Sequence, residues 1–243
     1  MLVHHKSRDV AAGLQKHMSA IDTELTYLNL KDGLFRPLLS SSYIFISSDR
    51  EPDSNSAGAV IFTSGTTGQP KGAVIRRGAL GDGLQSVVDL YGIQPLDVVM
   101  HCLPVHHATG ILITFLPFLI AGGCIEFHGK FDVQRTWERW FEGGLAYFSG
   151  VPTIYDRLMR FYEDEARQSS SASAKQFMEA AKNLKGMLCG TSALPGPLRN
   201  KWLRLTGKPI LERYGATEFG VVYMIPLNGT SRIPDVSSSD KFC

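Results

Sequence analysis

The stretch "AVIFTSGTTGQPKGAVI" (59–75) sets an apolar, β-branched run directly before a loop of Ser, Thr and Gly, and another apolar turn directly after it. Hydroxyls stand at Thr63, Ser64, Thr66 and Thr67, glycines at Gly65, Gly68 and Gly72, with a single Pro70–Lys71 pair between them. A loop at a strand end is where α/β proteins place binding and chemistry. Bare backbone N–H groups in such a loop can converge on phosphate oxygens, hydroxyls add donors, and a lysine supplies a point charge. The spacing is not that of the P-loop pattern G-x-x-x-x-G-K-[ST], because Pro70 precedes Lys71 and Gly72 follows it. An ordinary surface turn has similar residues, so the neighbouring sequence has to decide.

Outward from this loop, short β-branched or aromatic runs recur at 43–47, 59–64, 98–104, 124–127, 145–152, 186–192 and 210–215. Several are too continuously apolar to be one-sided strands, which points to sheets covered on both faces. Helical patterns lie between them. In "FDVQRTWERWF" Val133, Trp137, Trp140 and Phe141 share one helix face and Asp132 stands at the N-cap position. "PTIYDRLMRFYEDEA" repeats this with Ile154, Leu158, Phe161 and Tyr162. The alternation predicts an α/β fold with parallel-rich sheets flanked by helices. The serine-rich segments 47–58 and 168–174 read as loops.

A chain of 243 residues, 44% hydrophobic and 20% charged, with a formal net charge of +2, has the composition of a soluble globular protein. Its Lys and Arg residues form no run that would mark a nucleic-acid partner. The longest apolar run, Ile111 to Ala121 with Pro117 inside it, falls short of the roughly 18 to 20 residues of a membrane span and predicts a buried helix. Cys102, Cys124, Cys189 and Cys243 are far apart and form no disulfide framework. With no apolar leader pattern at the N-terminus, the expected location is cytoplasmic.

At this point the sequence resembles the adenylate-forming enzymes, which include acyl-CoA synthetases, aryl-CoA ligases, luciferases and the adenylation domains of peptide synthetases. Their signature [YF]-T-S-G-T-T-G-x-P-K-G matches Phe62 to Gly72 at every position. "LPVHHATG" (103–110), "GTSALP" (190–195) and "ERYGATE" (212–218) match three further family segments in the family's order, and the wording around them is similar to the malonyl-CoA synthetase branch. The resemblance covers residues 59 to 234.

The resemblance implies the activity: a carboxylic acid attacks the α-phosphorus of ATP to give an acyl-adenylate and pyrophosphate, and coenzyme A then displaces AMP. It also implies the roles. Thr63, Ser64, Gly65, Thr66, Thr67 and Gly68 would wrap the outer phosphates, with Lys71 anchoring the loop or neutralising charge. Gly190, Thr191 and Ser192 would contact the adenine, Tyr214 would offer it an aromatic face, Gly215 and Ala216 would belong to the same cofactor-binding motif, and the small Ala108 and Ala216 would face the acyl chain. Thr217 would point a hydroxyl at the α-phosphate, Glu218 would ligate Mg²⁺, and His107 would line the acyl pocket. The plain structural readings are a core aromatic for Tyr214 and a solvated acid for Glu218.

Two other chemistries are weaker. His101, Cys102, His106, His107, Cys124 and His128 fit no standard zinc spacing. Neither Ser64 nor Ser192 stands in G-x-S-x-G. Departures from the family matter more. Gly144 stands where malonate-using members carry an arginine that could pair the distal carboxylate, and Arg135 and Arg139 lie on a helix pattern that suggests solvated side chains. The family's ribose-binding acid, hinge and small C-terminal domain have no counterpart in "VSSSDKFC". The expected division is therefore a poorly patterned segment over 1–58, an AMP-binding core over 59–234 and an unrelated tail over 235–243. A catalytically inactive remnant that keeps only nucleotide or partner binding is the alternative.

Overall fold

The computed structural model describes residues 2–3, 28–29, 53–65, 68–168 and 171–227. The chain divides into two compact units, 1–51 and 52–243. In the first, β1 (Leu2–Val3) and β2 (Leu28–Asn29) pair in parallel. The strand expected at 43–47 and the tail at 235–243 lie outside the described residues.

The second unit is built on a six-stranded sheet. Its strands are β5 (Val98–His101), β6 (Cys124–Phe127), β7 (Tyr147–Gly150), β8 (Gly186–Cys189), β9 (Ile210–Ala216) and β10 (Gly220–Met224). They lie in the order β10-β9-β8-β7-β5-β6, all parallel except β10, which returns antiparallel against β9. The chain runs from β5 outward to β6, then crosses back to β7 on the opposite side of β5 and continues through β8 and β9. That reversal between β5 and β7 opens a crevice at the strands' carboxyl ends, the place where such sheets bind ligands.

Period-2 alternation sends successive side chains to opposite faces. Val99, Tyr147, Leu188 and Leu211 pack on one face with Val87, Val88 and Tyr91 of α1 (Leu84–Tyr91) and with Ile113 and Phe118. Met100, Phe148, Met187 and Ile210 pack on the other, under α3 (Val133–Phe141), α4 (Pro152–Gln168), α5 (Ser171–Asn183) and α6 (Gly196–Thr206). Coverage on both sides is why these strands read as unbroken apolar runs. On the helix-rich side Trp137 and Trp202 stack with ring centroids 6.1 Å apart, and the Trp202 Nε1 donates to the Tyr155 carbonyl at 3.3 Å. Asp132 caps α3 as expected, accepting from the Arg135 amide at 2.9 Å.

Three expectations need correction. The apolar stretch after the signature loop is not a turn but β4 (Lys71–Arg76), paired antiparallel with β3 (Ala57–Thr63) in a separate two-stranded ribbon. The run 111–121 is helical, but begins as a π-helical segment (Thr109–Phe115) before α2 (Leu116–Ile120), with Pro117 at the junction of the two. Part of the serine-rich stretch 168–174 is helix, since α5 starts at Ser171. Serine is a moderate helix former, and the apolar face of α5 further along, with Met178 and Ala181 buried, outweighs the local preference.

Candidate functional site

The β3–β4 loop and the segments after β5, β8 and β9 meet around one cleft of about 450 Å³. Phe62, Thr63 and Ser64 come from the ribbon, His107, Ala108, Thr109, Leu112 and Ile113 from the segment after β5, and Thr191 from the loop after β8. Arg213, Gly215, Ala216, Thr217, Glu218, Gly220 and Val221 come from β9, β10 and the turn joining them. A second cavity of about 440 Å³ shares Thr191, Arg213 and Gly215 as common wall and adds Ser192, Tyr214 and Glu212. The geometry thus brings together Thr63, Ser64, His107, Thr191, Ser192, Tyr214, Gly215, Ala216, Thr217 and Glu218.

Not every expected residue is among them. Thr66 and Thr67 lie outside the described residues. Gly65 and Gly68 hold positive φ of 63° and 97° in the loop. Lys71 is exposed on β4 opposite Thr63, whose hydroxyl donates to the Lys71 carbonyl at 3.4 Å, and its side chain is not part of either cavity wall.

His107 is held by its own segment. Its amide donates to the Pro104 carbonyl at 3.2 Å, and its Nδ1 accepts from the Thr109 amide at 3.2 Å. A ring nitrogen that accepts carries no proton, so the neutral ring keeps its hydrogen on Nε2 as a donor. Gly110 makes this turn possible, because a Cβ there would lie 2.0 Å from the Pro104 oxygen. The π-helical segment that follows is bound partly through the Thr114 hydroxyl, which donates to the Thr109 carbonyl at 3.0 Å. π-helical turns gather at functional sites, where they re-aim side chains.

The loop after β8 is fixed from β9. The Glu212 carboxylate accepts from the Leu194 amide at 3.4 Å and from the Arg199 Nη1 at 3.2 Å. Thr191 adopts φ 74°, a left-handed conformation that is costly for a β-branched residue and concentrates at binding sites. Period-2 alternation along β9 puts Glu212 and Tyr214 on the α6 side and Arg213 on the face of Leu211 and Tyr91. Tyr214 is 65% exposed, so it is a cavity wall and not the core aromatic of the plain reading.

Arg213 escaped the reading of the motif, although its parity with the apolar Leu211 could have marked it as a buried charge. It is 8% exposed; its Nη2 donates to the Ser149 hydroxyl at 3.4 Å, and its Nη1 has no hydrogen-bond partner. Gly190 leaves room for it, since a Cβ there would stand 2.8 Å from the Arg213 Nε. Burial pushes the Cys189 thiol up to about 12, with the Arg213 charge opposing, and the Cys102 thiol up to about 11, so neither supplies a thiolate nucleophile.

Arg139 is not solvated as its helix position suggested: its guanidinium is bound to Glu126 at 2.8 Å, while Arg135 pairs with Glu138 on the surface. Among the described residues, no group of three or more His, Cys, Asp or Glu is placed to hold a metal ion. His101 packs instead against Phe115 and Phe127, and burial lowers its pKa. No described helix is long and apolar enough to cross a membrane.

Comparison with known proteins completes the picture. A family model described as AMP-binding enzyme matches residues 3–240. A probable CoA ligase of Humulus lupulus is 39% identical over 180 residues, 70% of this chain and 29% of that protein. A malonate–CoA ligase of Arabidopsis thaliana is 37% identical over 182 residues, again 70% and 29%. The chain therefore spans about three tenths of the length of the curated relatives it matches. The crystal structure of ATP-bound MatB from Rhodopseudomonas palustris superposes with a TM-score of 0.69 at 26% identity, covering 95% of this chain and 42% of that one.

Proposed function

We propose that this chain, which belongs to the AMP-binding enzyme family, provides the nucleotide and acid site of an ATP-dependent acid–thiol ligase that forms AMP. Residues 59–234 carry that site in this reading. The acid's carboxylate attacks the α-phosphorus of ATP, pyrophosphate departs, and the thiol of coenzyme A displaces AMP from the acyl-adenylate. No side-chain nucleophile takes part, consistent with the protonated buried cysteines. Catalysis then rests on positioning and on stabilising charge at the phosphates.

One observation carries the reading: Ser64, from a ribbon outside the main sheet, and Thr217–Glu218, from the β9–β10 turn, line the same cleft. In this assignment the Thr63–Lys71 loop takes the outer phosphates, with the Ser64 hydroxyl and the Gly65 to Gly68 backbone as donors. The Thr217 hydroxyl binds at the α-phosphate. The adenine lies in the second cavity, between Thr191, Ser192 and the exposed face of Tyr214. His107, with its Nε2–H free to donate, borders the acyl position beside Ala108 and Ala216, whose small side chains leave room for the acid.

A single carboxylate, Glu218, fits Mg²⁺, which is commonly held by one or two carboxylates with the remaining ligands from phosphate oxygens and water. Bound there, the ion supplies neutralisation of phosphate charge. The name of the Arabidopsis relative makes malonate the first acid to test.

Equilibrium binding of ATP to the 243-residue chain, with and without magnesium, tests the site. Glu218→Gln is expected to weaken magnesium-dependent binding at least tenfold and Ser64→Ala to weaken binding with either form. Unaltered ATP affinity in both variants refutes the assignment. Acid-dependent exchange of pyrophosphate into ATP then tests the ligase step itself; binding without exchange for any acid refutes the reaction while leaving the nucleotide site.

A further inference from the structure

We propose that the outer face of the β3–β4 ribbon is a docking surface for an anionic lipid bilayer, bound peripherally; this goes beyond the ligase reading and does not depend on it.

The register of the ribbon sorts its side chains. Val60 pairs with Val74 and Phe62 with Gly72, so Val60, Phe62 and Val74 share one face, while Ile61 and Ala73 share the other. The inner face is covered, with Ile61 6% exposed; the outer face is open, with Val60, Phe62 and Val74 exposed by 53%, 70% and 58%. Both strands are nonetheless continuous apolar runs, "AVIF" and "AVI", the pattern of strands covered on both sides. A strip of large apolar side chains left open on a ribbon that shares no strand pairing with the main sheet marks an interaction surface.

Charge decides the occupant. Residues 56–78 hold Lys71, Arg76 and Arg77 and no Asp or Glu. None of the three forms an ion pair among the described residues; Arg76 donates to the Asn55 side-chain oxygen at 3.1 Å, and Lys71 and Arg77 are exposed. Lys71 stands at the tip end of the strip, opposite Thr63, and Arg76 and Arg77 at its base, so cations bracket the apolar residues. The Lys71 side chain belongs to neither cavity wall, which leaves it available to the outer face. Apolar side chains flanked by Lys and Arg suit the surface of an anionic bilayer, where the first enter the boundary of the acyl region and the second meet the headgroup charges. A second copy of this chain fits less well. It would set three cations against three, and three apolar side chains fall far short of the roughly 20–30 residues a side of a standard protein interface. A bilayer requires no complementary shape.

The test is sedimentation of the 243-residue chain with phosphatidylcholine vesicles, with and without about 30% phosphatidylserine. Phe62 borders the cleft and Lys71 belongs to the signature loop, so the substitutions are placed elsewhere on the face. Val60→Thr with Val74→Thr keeps the branched shape and removes apolar surface. Arg77→Gln removes one cation from the ribbon, and Arg204→Gln removes an exposed cation from the last turn of α6 as the control for net charge. Each variant is first shown to melt cooperatively, and Arg77→Gln carries the comparison if the threonine pair does not fold. Wild type is expected to bind the phosphatidylserine vesicles at least about fivefold more tightly than phosphatidylcholine alone. It is expected to be released as salt rises from about 0.1 to 1 M, which shortens the Debye length from about 10 to 3 Å. Arg77→Gln and the threonine pair should each weaken this binding about fivefold, and Arg204→Gln less than about twofold. Absence of phosphatidylserine-dependent binding, equal binding by wild type and the face variants, or an equal loss in Arg204→Gln overturns the proposal. So does a wild-type dimer in sedimentation equilibrium that the threonine pair dissociates, which would give the face to a second copy. Vesicle binding that persists in a chain unable to bind ATP refutes the nucleotide site and leaves this surface standing.

Discussion

Gly110→Ala is the sharpest test of how the fold builds the site. The added Cβ would lie 2.0 Å from the Pro104 oxygen, 2.7 Å from its carbonyl carbon and 3.3 Å from the Val105 nitrogen. All three are backbone atoms, so no flexible side-chain end can swing aside. An ordinary carbon–oxygen contact requires the Pro104 peptide or the π-helical segment to move by more than 1 Å. Movement of that size breaks the bond from the His107 amide to the Pro104 carbonyl and disturbs that of the Thr109 amide to the His107 ring.

Overpacking in well-packed surroundings costs about 1–3 kcal/mol, and each lost hydrogen bond about 1 kcal/mol more, so a loss of about 2–4 kcal/mol is expected. For a protein of this size 1 kcal/mol corresponds to about 2–4 °C in Tm, giving a fall of roughly 4–16 °C by calorimetry. Gly81→Ala is the internal control, because a Cβ at Gly81 meets nothing within 4 Å. In a helical position alanine is better than glycine by roughly 0.5–1 kcal/mol, so this variant should melt at or above the wild-type temperature. ATP binding completes the test. A Gly110→Ala protein with wild-type Tm and an unaltered His107 ring signal in NMR would show that the close approach to Pro104 does not hold this turn.

Three further perturbations probe the frame. Asp132→Ala removes the carboxylate that accepts from the Arg135 amide at 2.9 Å and should cost about 1 kcal/mol, a fall of a few degrees in Tm; no change would mean that packing of Trp137 and Trp140 alone sets the start of α3. Trp202→Ala empties a fully buried position and removes both the stack on Trp137 and the bond to the Tyr155 carbonyl, so urea unfolding should report a loss of about 3–5 kcal/mol, and a loss below 1 kcal/mol would contradict the core described here. Burial holds the folded-state pKa of His101 below its ordinary value of about 6.5. A depressed histidine pKa means the unfolded chain binds the proton first, so the neutral ring's advantage is present above about pH 6.5 and is lost as pH falls toward the folded value. His101→Leu should therefore flatten the decline of Tm between pH 7 and 5; an identical slope in both proteins would rule this out.

The fold class was legible because the strands of the main sheet are covered on both faces, which makes β5, β7 and β8 read as apolar runs with β-branched and aromatic residues. The ribbon was not, because β4 has exposed Val74 and Gly72 beside a glycine-rich loop, and its pairing with β3 depends on register, which local composition does not encode. α5 was hidden by serines whose helical state is set by residues further along the same helix. Most of the cleft was legible because its hydroxyl, glycine and acidic residues fall in dense local clusters. Arg213 was missed for the opposite reason: its burial beside Ser149, Tyr91 and Gly190 is a property of three-dimensional surroundings and not of neighbours in sequence.

The site joins two kinds of support. His107, Thr191, Thr217 and Glu218 stand on loops that follow β5, β8 and β9, strands tied into one hydrogen-bonded sheet with a core on either face. Ser64 stands on the β3–β4 ribbon, which shares no strand pairing with that sheet. The ribbon is anchored at its base, where the Arg77 amide donates to the Ser56 carbonyl at 2.9 Å and the Gly78 amide to the Ser54 carbonyl at 2.9 Å. A shift of the ribbon tip relative to Glu218 therefore breaks no ladder bond of the main sheet. In the proposed reaction pyrophosphate departs before the thiol acts, so the loop assigned to the outer phosphates would have to release while the acyl-adenylate stays in place. Separating the loop assigned to phosphate from the sheet that carries the rest of the proposed site would let one half yield without loosening the other. A disulfide that ties the ribbon to the β9–β10 turn through residues other than Ser64, Thr217 and Glu218 should accordingly slow pyrophosphate release in its oxidised form relative to its reduced form; faster release on oxidation would refute this division of labour.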